Sequence, residues 1–167
     1  MPTVEEVVKL FKKHNPATPE EARKLTGLKL KYLGEGCFRD AYRIKGTDLV
    51  VKFPLWGEYE GIDHSCSEID TVKKVKRMAK YKPLRMFLPE FYYTDYGTGV
   101  IIMEYCKKLG YGREKIADLI DSFVSSILGC DRYGSDMHYN NIGVKVTEDE
   151  WGCKTTEYKI IDFGIFE

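Results

Sequence analysis

No run of about 18 uncharged apolar residues occurs in this sequence, and its opening Met-Pro-Thr-Val-Glu-Glu has no basic segment leading into an apolar one. Membrane spanning and secretion are both disfavoured on that ground, and the cytoplasm is the expected setting. Cysteine is scarce and patternless. Cys37, Cys66, Cys106, Cys130 and Cys153 are odd in number and widely spaced, and no two form a Cys-x-x-Cys pair. That argues against a zinc site or a disulfide framework and for reduced thiols. An excess of either charge is missing as well. Lys plus Arg and Asp plus Glu each count 26, so the formal net charge is zero and no general pull toward nucleic acid or an anionic membrane follows. Internal repeats and low-complexity tracts are absent too.

What is present is an ordinary globular balance, 43% hydrophobic and 31% charged, so a folded protein is expected. The 167 residues suffice for one compact domain or two very small lobes sharing a core. Val4, Val7, Val8 and Phe11 recur at helical spacing, and a second short helix is expected around 20–25, so residues 1–27 read as a helical N-terminal extension. From Leu28 the pattern turns strand-like over 28–33, 41–44 and 49–53, punctuated by Gly34, Gly36 and Gly46. Ile69, Val72, Val75 and Met78 predict an amphipathic helix over 65–81, with Pro83 ending it. Aromatic and β-branched runs at 91–96 and 100–105, joined by Gly97-Thr98-Gly99, suit a hairpin.

The strongest helical signal is Ile116, Leu119, Ile120, Phe123, Val124, Ile127 and Leu128, which predicts a helix over 113–128 stopped by Gly129. Short strands at 142–146 and 158–161 follow, with the polar segment 147–157 between them. Strands, helix, strands, helix and a final strand pair make an α+β order, not alternating βα units.

Several polar residues stand where chemistry is possible. Gly34 and Gly36 lie between two predicted strands, so they belong to a hairpin tip and not to a Rossmann helix start. Glycines there let backbone amides approach phosphate oxygens, or simply make a turn. Lys52 is embedded in the apolar strand Val50-Val51-Lys52-Phe53. It either faces solvent or points inward, where it needs a phosphate or a carboxylate. Glu68 on the next helix is its natural partner, although Ser65-Cys66-Ser67-Glu68 also fits a capping box. Asp136 and Asn141 share a polar loop before a strand. A carboxylate there can orient or deprotonate a hydroxyl, and an amide oxygen is a hard ligand for Mg2+. Asp162 follows the apolar Ile160-Ile161 and is placed to hold the same metal, or to form a turn.

In this order the motifs resemble the protein-kinase-like superfamily over roughly residues 28–164. Gly34-x-Gly36-x-x-Arg39-x-Ala41-Tyr42 resembles the phosphate-covering loop, Val51-Lys52 the strand lysine, Glu68 its helical partner and Met103-Glu104-Tyr105 the hinge. Asp136 with Asn141 resembles the catalytic loop, and Asp162-Phe163-Gly164 the magnesium-binding motif. The resemblance implies a kinase-like bilobal fold: an antiparallel N-lobe sheet plus helix over 28–106, and a much reduced C-lobe over 107–167. It implies ATP and Mg2+ as cofactors, with Gly34, Gly36, Lys52 and Glu68 serving the phosphates. Glu104 and Tyr105 would hold adenine through backbone groups, and Asn141 and Asp162 the metal. The γ-phosphoryl group would pass to a hydroxyl oriented by Asp136.

The sequence also departs from that family. Arg39 replaces the third glycine, which reduces backbone freedom and admits a phosphate contact. Gly134-Ser135 stands where protein kinases carry His-Arg, so regulation by an activation-loop phosphate is not expected. Asp136-x-His138-x-x-Asn141 is similar to small-molecule phosphotransferases and to short kinase-like proteins of bacteria and phages, with His138 either touching phosphate or packing the loop. Only three residues follow Gly164 in this sequence, so an activation segment and a peptide-binding platform like those of protein kinases are not expected. Two functions therefore stand: a phosphotransferase with an open acceptor, and a catalytically inactive kinase-like module that binds nucleotide or a protein partner. The basic stretch 73–85 and the acidic hairpin 147–157 with Trp151 are candidate protein contacts, or else solvated surface with Trp151 covering the sheet. Nucleic acid is not expected as a ligand.

Overall fold

Two reciprocal hydrogen bonds start the first helix. Thr3 Oγ1 accepts from the Glu6 amide at 3.2 Å while the Glu6 carboxylate accepts from the Thr3 amide at 2.8 Å. This capping box opens α1 over Val4–His14. Thr18 and Pro19 start α2 (Pro19–Thr26), which Gly27 closes at a left-handed φ of 70°. The computed structural model describes residues 1–36, 38–55, 59–128 and 139–162.

Five strands form one antiparallel sheet: β1 (Leu30–Glu35), β2 (Arg39–Ile44), β3 (Leu49–Pro54), β4 (Phe91–Thr94) and β5 (Ile101–Glu104), in the order β1-β2-β3-β5-β4. The α+β class and the antiparallel sheet expected above are both observed. β3 is central, and all six of its residues are buried. Alternation along the strand divides them. Leu49, Val51 and Phe53 join Val7, Phe11 and Ala22 of the helices, with Tyr42, Ile44, Val100 and Ile102, in one core. Phe11 lies against Phe53 and Tyr93, with ring centroids 6.4 and 5.9 Å away. Val50 and Lys52 therefore face away from the two helices.

The helix expected over 65–81 begins earlier, as α3 over Tyr59–Arg77. Ser65 is then interior to it, and its hydroxyl donates to the Gly61 carbonyl at 3.1 Å. The capping box suggested by Ser65–Glu68 does not form. After Arg77 the backbone of Met78 is extended, and the chain continues as a 3-10 helix over Ala79–Phe87 that contains Pro83. Proline lacks the amide that an α-helix would need there. Arg85 Nε donates to the Val75 carbonyl at 3.2 Å, satisfying one acceptor of the last α3 turn.

A three-stranded sheet, β6-β7-β8, is built from Lys107–Lys108, Ile142–Glu148 and Lys154–Ile160. The segment 147–157 is thus mostly strand, in register from Ile142↔Ile160 out to Glu148↔Lys154. Helix α4 spans Glu114–Leu128, as the periodicity predicts. It buries Ala117, Ile120 and Val124, whereas Leu119 and Phe123 remain exposed. The Phe87 and Phe123 rings meet edge to face at 5.8 Å, and Lys159 Nζ donates to the Met86 carbonyl at 3.1 Å, so the 3-10 helix packs against both α4 and β8.

The chain divides into two compact units, one of Met1–Cys66 with Glu90–Tyr105, the other of Ser67–Pro89 with Cys106–Glu167. Among the described residues no helix is long and apolar enough to cross a membrane.

Candidate functional site

In the first unit the glycine turn joins β1 to β2. The Gly36 amide donates to the Arg39 carbonyl at 2.8 Å, and a Cβ on Gly36 would come within 3.3 Å of that oxygen. A side chain on Gly36 would therefore crowd the Arg39 carbonyl. Arg39 opens β2 opposite Pro54, and its side chain is buried. Lys52 pairs with Ala41 on one side and Ile101 on the other. At 8% exposure it does not face solvent, which settles the alternative left open by the strand pattern. An ammonium group so placed requires anionic or polar company.

Glu104 ends β5 and Tyr105 follows it, and both of their amides are in use. The Glu104 amide donates to the Glu90 carbonyl at 2.9 Å and the Tyr105 amide to the Asp48 carbonyl at 2.8 Å. The Glu104 carboxylate turns inward and accepts from the Glu90 amide at 2.9 Å. That bond fixes the approach to β4, and a purine edge at this segment would have to break a backbone hydrogen bond to gain either amide. The Tyr105 ring lies under the Arg43 guanidinium at 4.2 Å, whose Nη2 is 2.9 Å from Asp48 Oδ1.

Asp40 is a polar residue of this unit that the motifs do not single out. Its carboxylate stands opposite Glu35 in the β1–β2 register, and its Oδ1 is buried without a hydrogen-bond partner. Burial, and then the charge of Glu35, push its carboxyl above the ordinary aspartate range, while a hydrogen bond from Tyr42 works the other way. The only sequence signal is the pairing of two acids across a hairpin, visible once the register is known.

In the second unit Glu68 is wholly buried, at 0% exposure, in the interior of α3. A carboxylate with no water contact is held by compensating groups or not held at all. Asn141 ends a single 3-10 turn, Tyr139–Asn141, and leads into β7. Its carbonyl accepts from the Ile161 amide at 2.8 Å, which continues the β7–β8 ladder one step beyond Ile142↔Ile160. Asp162 is the next residue. The hairpin thus brings an amide and a carboxylate to one end, and both are half-buried. Hard oxygen donors of these two kinds fit Mg2+. Among the described residues no group of three His, Cys, Asp or Glu side chains gathers around a metal-sized space. Asp136 and His138, together with Phe163 and Gly164, lie outside the described residues.

No family model matches the chain, and no curated protein matches it in sequence. Among solved structures it is similar to the Rio2 kinase of Chaetomium thermophilum in an ADP/Mg2+-phosphoaspartate complex, at 18% identity and a TM-score of 0.45. That alignment covers 82% of this chain and 47% of the other. A choline/ethanolamine kinase family protein of Mesorhizobium loti aligns at 20% identity and a TM-score of 0.39, over 80% of this chain and 38% of that one. The chain therefore spans less than half the length of either structure.

Proposed function

We propose that this chain is an ATP- and magnesium-dependent phosphotransferase acting on a hydroxyl acceptor. The observation that carries the reading is the hydrogen bond from the Ile161 amide to the Asn141 carbonyl, because it holds the two candidate metal donors, Asn141 and Asp162, at one hairpin end. Burial of Lys52 and Glu68 supports it, since two opposite ionisable groups kept from water need a reason, and a phosphate-orienting ion pair is one.

In this reading Lys52 donates to phosphate oxygens with Glu68 as its partner, and Gly34 and Gly36, having no side chains, let the turn backbone approach the same oxygens. Asn141 and Asp162 supply oxygen ligands, and Asp136 orients the acceptor hydroxyl and takes its proton. Bound magnesium would offset the charge of the transferring group.

Thermal denaturation with saturating Mg-ATP tests the binding half. At about 100-fold excess over Kd, stabilisation of about 2.7 kcal/mol raises Tm by about 5–10 °C in a chain of this size. Asp162→Asn is expected to remove most of that rise. Transfer of γ-labelled phosphate to small hydroxyl compounds or to the chain itself tests the chemical half. No Tm change overturns the whole reading. A Tm rise without transfer for any acceptor favours the second function, an inactive nucleotide-binding module.

A further inference from the structure

After proline, glycine is the poorest helix former, yet Gly61 occupies the first turn of α3. A Cβ on Gly61 would lie 2.8 Å from the Phe38 carbonyl oxygen and 3.2 Å from Pro54 Cβ. The missing side chain is the space into which the end of the β1–β2 turn packs. That same Phe38 carbonyl accepts from the Leu55 amide at 2.9 Å. The Phe38 ring then lies flat on the imidazole of His64, with centroids 3.8 Å apart and planes 19° apart. His64 stands about one helical turn beyond Gly61, so the carbonyl and the ring of one residue are both fastened along one side of α3. Both rings are half-buried.

We propose that Phe38 and His64 form a clasp that holds the β1–β2 turn against α3, and that both are positioning residues for the backbone of Gly34 and Gly36. The purpose of the clasp rests on the nucleotide reading above. Neither ring touches phosphate in this role. A glycine-rich turn left loose has to be ordered when it closes on a ligand, and that ordering weakens binding. The clasp orders the turn in advance. An aromatic pair contributes about 1 kcal/mol beyond its buried area, which converts to a change of about fivefold in an equilibrium constant.

Hydrogen exchange on the full chain without nucleotide reads the clasp directly. His64→Ala is expected to lower protection of the Gly36 and Leu55 amides about fivefold while the Val51 and Ile102 amides keep theirs. His64→Phe, which keeps a flat ring, is expected to restore it. Gly61→Ala is expected to lower the same protection despite its better helix propensity. Calorimetric titration with Mg-ATP then gives a Kd about fivefold weaker for His64→Ala and near wild type for His64→Phe. Unchanged exchange at Gly36 and Leu55 in both His64→Ala and Gly61→Ala overturns the clasp. Lost protection with unchanged Mg-ATP affinity overturns its positioning role. If the wild type binds no Mg-ATP, the nucleotide reading falls and the positioning role with it, while exchange alone still decides whether the clasp exists.

Discussion

An aspartate held beside another acid on a strand pair carries a cost that depends on pH. The Asp40 carboxyl is raised above its ordinary value, first by burial and then by Glu35, so its folded-state pKa exceeds its unfolded one. The sign follows: ionised Asp40 lowers stability at every pH above both values, and the penalty vanishes where both states are protonated. Asp40→Asn is therefore expected to raise Tm by about 2 °C near pH 7, and the difference from wild type should disappear near about pH 3. Melting curves of both proteins across that range check it, and equal Tm values at every pH refute it. Lys52 marks the limit of reading single residues from sequence. Its identity and its strand were legible, but a lysine inside an apolar run suits either face. Only the presence of α1 and α2 on one side of β3 and the full burial of the strand decide between them. Glu104 is a similar case, because nothing in Met103-Glu104-Tyr105 reveals that the carboxylate bonds the Glu90 amide.

At the scale of elements, the β6-β7-β8 sheet depends on one close approach. A Cβ on Gly143 would collide with Cys106 Cβ and lie 2.7 Å from Ile161 Cγ2, so no side chain fits between β6 and the end of β8. Gly143→Ala is expected to destabilise the protein by about 1–3 kcal/mol, the usual range for overpacking a core. It should also disturb the bond between Asn141 and Ile161. Denaturant unfolding measures the first effect, and loss of the Mg-ATP-dependent Tm rise the second. Strand and helix order was legible because each element has its own period, as with Ile116 to Leu128 in α4. The length of the last two strands was not, since Thr147 to Glu157 has no apolar alternation to show that they run on toward the hairpin tip. What extends that hairpin is the turn. Asp149 Oδ1 accepts from the amides of Trp151 at 3.0 Å and Cys153 at 2.8 Å, and Trp151 is left 79% exposed. The expectation that Trp151 covers the sheet fails for that reason. The early start of α3 was hidden by Gly61, which reads as a breaker until its contact with Phe38 is known.

Across the whole molecule, zero net charge conceals segregation. Residues 71–89 hold Lys73, Lys74, Lys76, Arg77, Lys80, Lys82 and Arg85 and no acid, and all seven are exposed. Glu148, Asp149 and Glu150 are exposed together at the hairpin tip. Copies of such a molecule attract one another at low salt, and screening weakens that attraction. Light scattering is expected to give a second virial coefficient that rises as salt increases from about 20 to about 300 mM; a value independent of salt would contradict it. The first two helices bear on a different question, that of where a working piece of this fold can be cut. Val7, Phe11 and Ala22 are wholly buried in the same core as β3. A recombination event or an expression clone that begins at Leu28 therefore exposes one entire face of the central strand. A working piece of this fold therefore has to carry α1 and α2 together with the sheet.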